Sequence, residues 1–82
     1  MATILSFYEG DTNPYKSILN DVHLVYPNIL IFQVPINVTM TSLYNIKTNP
    51  TLIVFLNSSE HKRYEGTISI DDILTVLGEI IG

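Results

Sequence analysis

The sequence has 82 residues, of which 46% are hydrophobic and 15% charged, a composition that predicts one folded domain with a single modest core. It contains no cysteine, which excludes disulfide bonds, a thiolate nucleophile and cysteine metal sites. The formal net charge is −4 and only four residues are basic, so the chain lacks the basic patch that nucleic acid requires.

The first half of the chain predicts a strand, a helix and a second strand. The run "ATILSFY" is apolar and β-branched and predicts a buried strand over residues 2–8. Pro14 suits the first position of a helix and Asn13 suits its N-cap, while Pro27 ends the helical pattern. The next apolar run, "NILIFQVPI", predicts a strand that stops near Pro35.

The second half predicts a short helix, two strands and a closing helix. "TMTSLYNIK" is the helix candidate, and "TLIVFL" is a third apolar strand, far too short to span a membrane. "NSSE" is a turn rich in residues that hydrogen-bond their own backbone, and "HKRYE" predicts a polar edge strand that ends at Gly66. Ser69 then caps an amphipathic helix, with Asp72 at the third position of a capping box.

The predicted order is therefore βαβαββα. Its first half is a βαβ unit, which requires parallel strands, and its second half contains a hairpin, which requires antiparallel ones. A mixed four-stranded sheet with helices on both faces satisfies both requirements, so we predict the α/β class and a single domain over residues 1–82.

The N-terminal stretch "MATILSFYEG" has neither a basic region nor a small-residue cleavage site, so it does not resemble a signal peptide. We expect a cytoplasmic protein with no membrane partner. Heavy use of Ile, Asn and Tyr is typical of an AT-rich genome and, with the small size, suits a phage or viral gene. In that case the location would be the host cytoplasm or the virus particle.

Two motifs resemble those of the glutaredoxin-like branch of the thioredoxin superfamily. Glutaredoxins carry a strand-ending tyrosine, a four-residue loop and then Cys-Pro-Tyr-Cys, whereas this sequence has Tyr8, the loop "EGDT" and then "NPYK" at residues 13–16. The stretch "KTNPTLIVF" resembles the family segment that contains a cis-proline, and it places Pro50 there. The resemblance covers nearly the whole chain and implies a minimal thioredoxin-like fold.

The resemblance does not extend to the chemistry of the family. Thiol–disulfide exchange and iron–sulfur binding in glutaredoxins both need the first cysteine of the motif. Asn13 occupies that place and Lys16 replaces the second cysteine. We therefore expect no oxidoreductase activity and no cofactor. We interpret Asn13 as a helix cap and Lys16 as a side chain that points to solvent.

Other candidate ligands have simpler interpretations. His23 and His61 lie on different elements without carboxylates at matching spacing, so we expect surface or half-buried histidines and no metal site. Asp71 and Asp72 resemble the acidic pair with which glutaredoxins hold the amine of glutathione, but the paired glycines of that motif are absent. We interpret these aspartates as stabilising the N-terminus of the last helix.

The leading functional hypothesis is a non-catalytic module that binds another protein chain, or a second copy of itself, through the face of the lost active site. We expect Tyr15 to point outward there. The alternatives are a structural subunit, for example in a virus particle, and a binder of a small molecule such as glutathione. The edge strand "HKRYE" is a rival contact surface. The predicted binding residues are Tyr8, Asn13, Pro14, Tyr15, Lys16, Thr48, Asn49 and Pro50.

Overall fold

The computed structural model describes residues 1–81, which form four strands and three helices. The elements follow the predicted order βαβαββα, and the first and third strands match their predicted bounds. The elements are β1 (Ala2–Tyr8), α1 (Lys16–Val25), β2 (Leu30–Pro35), α2 (Val38–Tyr44), β3 (Thr51–Leu56), β4 (Ser59–Glu65) and α3 (Ile70–Ile81).

The four strands form one mixed sheet in the order β2-β1-β3-β4. β1 and β2 are parallel, as the helical crossover between them allows, whereas β3 is antiparallel to both of its neighbours. At the centre of the sheet, Leu5 of β1 pairs with Phe32 on one side and with Ile53 on the other. β2 and β4 are therefore the two edges of the sheet.

Alternating side chains of β1 divide the core into two layers. Ile4 lies in the layer under α1 and α3, in one cluster with Leu19 and Leu77. Phe7 lies in the opposite layer under α2, where its ring centroid is 5.3 Å from that of Tyr44. Helices thus cover both faces of the sheet, which confirms the predicted α/β architecture.

The β3–β4 hairpin is tighter than the sequence predicts. β4 begins at Ser59 rather than at His61, so only Asn57 and Ser58 form the turn. Both turn residues have positive φ, 52° and 71°, which is the geometry of a type I′ turn that matches the twist of the flanking strands. A register shift leaves His61 as a bulge in β4.

Two helices also differ from their predicted bounds. α1 begins at Lys16 rather than at Pro14, because the residues before it form a turn in which the Lys16 N–H donates to the Asn13 carbonyl (3.1 Å). α2 ends before the predicted boundary: the side chain of Asn37 caps its start, and Asn45, in the left-handed region at φ 54°, ends it.

Candidate functional site

A shallow groove of about 340 Å³ lies between the start of α1 and the start of β3. Because β1 runs antiparallel to β3, the loop that leaves β1 and the loop that enters β3 meet at one end of the sheet, where Phe7 pairs with Thr51. Among residues 1–81, none that lines the groove is charged. The lining residues are Pro14, Tyr15, Ile18, Asn49, Pro50, Gly66, Thr67 and Ile68.

The peptide bond between Asn49 and Pro50 is cis, as the resemblance implies. The Pro50 carbonyl accepts a hydrogen bond from the Gly66 N–H (3.0 Å), which ties the entry to β3 to the segment after β4. The Asn49 side chain accepts from the Glu9 N–H (3.0 Å). Within residues 1–81, however, the main-chain N–H and C=O of Asn49 have no hydrogen-bond partner.

The expectation that Tyr15 points outward is wrong. Its side chain is only 3% exposed and belongs to the core cluster under α1 and α3. Its hydroxyl donates to the Pro50 carbonyl (3.1 Å) and lies in hydrogen-bond contact with the Gly66 carbonyl. Tyr15 therefore forms the floor of the groove, where it joins three segments of the chain and does not offer a free side chain to a partner.

The interpretation of Asn13 as a simple helix cap is also wrong. The helix begins three residues after it, and Asn13 is 5% exposed. Its Oδ1 accepts from the Tyr15 N–H (3.0 Å), while its Nδ2 donates to Ser6 Oγ (2.9 Å) and to Gln33 Oε1 (3.0 Å). Asn13 thus links the first turn before α1 to β1 and β2, and it is not part of the groove surface.

The remaining predicted binding residues are not among those that line the groove. Lys16 is exposed, as expected. Tyr8 ends β1 and is half-buried, and its carbonyl accepts from the Ile36 N–H (2.8 Å). Thr48 is exposed, with its Oγ1 2.8 Å from Thr51 Oγ1. Of the eight predicted residues, the groove lining contains Pro14, Tyr15, Asn49 and Pro50.

The acidic pair and the histidines take no part in the groove. Asp71 and Asp72 lie exposed in the first turn of α3, and the Asp72 N–H donates to Ser69 Oγ (3.2 Å), which confirms the predicted cap. His23 and His61 are exposed. In the described part of the chain, no cluster of three or more potential metal ligands occurs. Over the same residues, no helix has the length and apolar character needed to cross a bilayer.

The sequence does not identify one wall of the groove, which is formed by Gly66, Thr67 and Ile68. Gly66 adopts φ 81°, a left-handed conformation that favours glycine, and this turns the chain from β4 back across Pro50. The available signal is the lone glycine after the polar strand. That glycine predicts the end of β4, but not that the residues after it return to the groove.

Burial raises the pKa of the Tyr15 phenol, and the nearby Glu65 carboxylate adds to this effect. The folded protein therefore holds this proton more tightly than the unfolded chain, in which tyrosine titrates near pH 10. The contribution of Tyr15 to stability is thus constant below that pH and falls as the pH rises past it.

We accordingly expect the Tyr15→Phe variant to lose less stability than the wild type between about pH 8 and about pH 11. The measurement is the urea midpoint of unfolding at each pH. Burial also raises the pKa of Tyr64, but that residue is common to both proteins and its effect cancels in the comparison. Equal losses of stability in the two proteins over this pH range would contradict the raised pKa of Tyr15.

The fold and the groove define a thioredoxin-fold protein in which both active-site cysteines are absent. Neither a protein-family model nor a curated protein matches the sequence. Solved structures match it along almost its whole length, at identities low enough that they show the fold alone.

Three of these structures illustrate the likeness. A malarial protein is 16% identical over 100% of this chain and 99% of its own, with a TM-score of 0.85. Thioredoxin O2 from Arabidopsis thaliana is 15% identical over 100% of this chain and 76% of its own, with a TM-score of 0.83. Thioredoxin-2 of the malaria parasite is 16% identical over 96% of this chain and 82% of its own, with a TM-score of 0.84. The chain therefore has the thioredoxin fold.

Proposed function

We propose that the chain is a non-catalytic thioredoxin-fold protein that binds an extended segment of another polypeptide in the groove beside Pro14 and Pro50. The main chain of Asn49 carries the proposal. Its N–H and C=O lack a hydrogen-bond partner within residues 1–81, and they border an open groove. An extended peptide satisfies such groups by pairing with them as an added strand, while adjacent pockets receive alternate side chains.

The lining of the groove favours a peptide with apolar side chains. Pro14, Ile18 and Ile68 offer apolar surface, and no lining residue carries a charge. Glutathione has two carboxylates, for which this lining provides no cation. Asp71 and Asp72, the residues that resemble a site for its amine, lie outside the groove. The small-molecule alternative therefore receives no support from the groove.

Binding in this groove is non-covalent. Thioredoxin-fold oxidoreductases hold their substrates through a mixed disulfide that a thiolate forms, and this chain has no cysteine. Main-chain pairing at Asn49 and apolar contact with the groove must therefore supply the whole affinity. A protein of this kind captures a segment and releases it unchanged.

A library of short, cysteine-free peptides displayed on phage tests the proposal. We expect selection against the immobilised protein to enrich peptides that the Thr67→Arg variant binds at least roughly tenfold more weakly, a loss of about 1.4 kcal/mol, because an arginine there fills the groove. Isothermal calorimetry on one selected peptide gives the two dissociation constants.

The matched control is Thr39→Arg, which places the same side chain at an exposed position of α2, on the opposite layer of the sheet. This variant should bind the selected peptide as the wild type does. The proposal fails if no peptide is enriched over the bare support, or if both variants lose binding equally.

A further inference from the structure

The two edges of the sheet differ in how they meet solvent. β4 has the sequence "SEHKRYE", with charged side chains along it and a bulge at His61, features with which natural sheets discourage pairing at an edge. β2 has the sequence "LIFQVP", which carries no charge, pairs with β1 without a bulge and has a proline only at its last position. β2 is thus an edge that remains open to pairing.

The sheet face beside β2 is also incompletely covered. The register places Leu30 and Phe32 on the same face as Leu5, in the layer under α2. α2 is short and has no buried residue, so Leu30 and Phe32 remain 47% and 49% exposed. On the same face, a hollow of about 350 Å³ lies over Thr3 and Leu5, which pair with Leu30 and Phe32; its lining is Thr3, Leu5, Tyr44, Phe55 and Ser58.

We propose that β2 pairs antiparallel with β2 of a second copy of this chain, so that two four-stranded sheets join about a two-fold axis. Each copy has a net charge of −4, so two copies repel each other, most strongly where acidic side chains approach one another. β2 and the described residues that line the adjacent hollow carry no charged side chain, so a contact between two copies here brings no like charges together.

The size of the contact suits a specific but modest interface. A strand of six residues is about 20 Å long, and a contact of that length with the half-exposed side chains beside it buries on the order of 1,000 Å² over both copies. The same patch serves both copies, so the contact is closed by symmetry. Since β4 discourages pairing, the assembly stops at two copies.

The expected register centres on Phe32. In that register Phe32 of one copy lies opposite Phe32 of the other, and Leu30 of one copy lies opposite Val34 of the other. The apolar side chains of one face therefore meet across the two-fold axis. Pro35, which cannot donate a main-chain hydrogen bond, then lies at the end of the ladder. The groove at Pro50 is lined by other elements and stays open in both copies.

Single cysteines test this register, because the chain has none of its own. Directly opposite residues of an antiparallel pair have Cα atoms about 4.5–5.5 Å apart, within the range of about 4.4–6.8 Å that a disulfide spans. We expect Phe32→Cys to form a disulfide-linked dimer under mild oxidant. The control Leu43→Cys is 69% exposed but lies on the β4 side of the sheet, and it should react far more slowly.

Sedimentation velocity gives the second measurement. At roughly 100 μM, a concentration chosen to populate a micromolar dimer, the wild type should sediment as a dimer and Leu30→Glu as a monomer. Leu43→Glu, the same substitution outside the contact, should remain dimeric. A monomeric wild type, a dimer that Leu30→Glu leaves intact, or cross-linking of Phe32→Cys no faster than Leu43→Cys would overturn the proposal. The cross-linking result stands even if Leu30→Glu fails to fold.

Discussion

Replacing Tyr15 with alanine is expected to lower the free energy of unfolding by about 3–5 kcal/mol, the usual cost of removing a large buried aromatic ring. The ring lies in the core cluster with Leu19 and Ile73. Its hydroxyl donates to the Pro50 carbonyl and lies in hydrogen-bond contact with the Gly66 carbonyl. In a domain of this size, each 1 kcal/mol shifts the melting temperature by about 4–8 °C. The melting temperature should therefore fall by more than about 10 °C, as calorimetry will measure.

Two variants separate the ring of Tyr15 from its hydroxyl and from tyrosine loss in general. Tyr15→Phe keeps the ring but removes the donor, so it should cost about 1–3 kcal/mol, mainly because the partly buried Gly66 carbonyl loses the hydroxyl, whereas the Pro50 carbonyl keeps the Gly66 N–H. Tyr8→Ala removes a half-buried tyrosine at the end of β1 and should cost less than Tyr15→Ala. An unchanged melting temperature in Tyr15→Ala would contradict the structure at this position.

The layered fold could be predicted because its signals are local and repeated. β1 places Ile4 and Leu5 on opposite faces, and the apolar stripe of α3 puts Leu77 into the layer of Ile4. Each signal lies within one element, and a mixed sheet with helices on both faces is the economical way to combine a βαβ unit with a hairpin. The apolar sequence of β2, by contrast, does not distinguish a central strand from an edge strand.

The orientation of Tyr15 could not be predicted in the same way. Its hydroxyl meets carbonyls that are 35 and 51 residues away along the chain. The local sequence suggests a helix that starts at Pro14, which turns the next side chain outward. In the structure the helix starts at Lys16, and the turn before it directs Tyr15 inward. A shift of two residues at a helix start is enough to reverse which side chain is buried.

The groove could be predicted only in part. Pro14, Asn49 and Pro50 carry the resemblance to a known family, and these three residues do line it. The wall formed by Gly66, Thr67 and Ile68 depends on the length of the β3–β4 hairpin. That hairpin pairs Glu65 with Thr51, so the next residue, Gly66, lies against Pro50. The sequence predicts a four-residue turn, "NSSE", where the structure has a turn of two residues, so it could not place that wall.

Replacing Asn13 with leucine is expected to destabilise the protein by about 2–3 kcal/mol, because two buried groups lose their partner. Ser6 is fully buried, and its hydroxyl accepts from Asn13 Nδ2 at 2.9 Å; the Tyr15 N–H donates to Asn13 Oδ1 at 3.0 Å. Leucine has a similar volume, so the loss measures hydrogen bonding more than packing. Asn20→Leu, the same substitution at an exposed position of α1, should change the urea midpoint little.

A double variant shows whether Asn13 acts through Ser6. Part of the cost of Asn13→Leu should arise because the buried Ser6 hydroxyl loses its hydrogen-bond donor. In that case Ser6→Ala destabilises the wild type but stabilises the Asn13→Leu protein, by about 1 kcal/mol in urea unfolding. Purely additive effects would mean that the two side chains are not coupled. Coupling would mean that the position resembling the catalytic cysteine of an oxidoreductase serves here as a buried polar link that holds the start of α1 against the sheet.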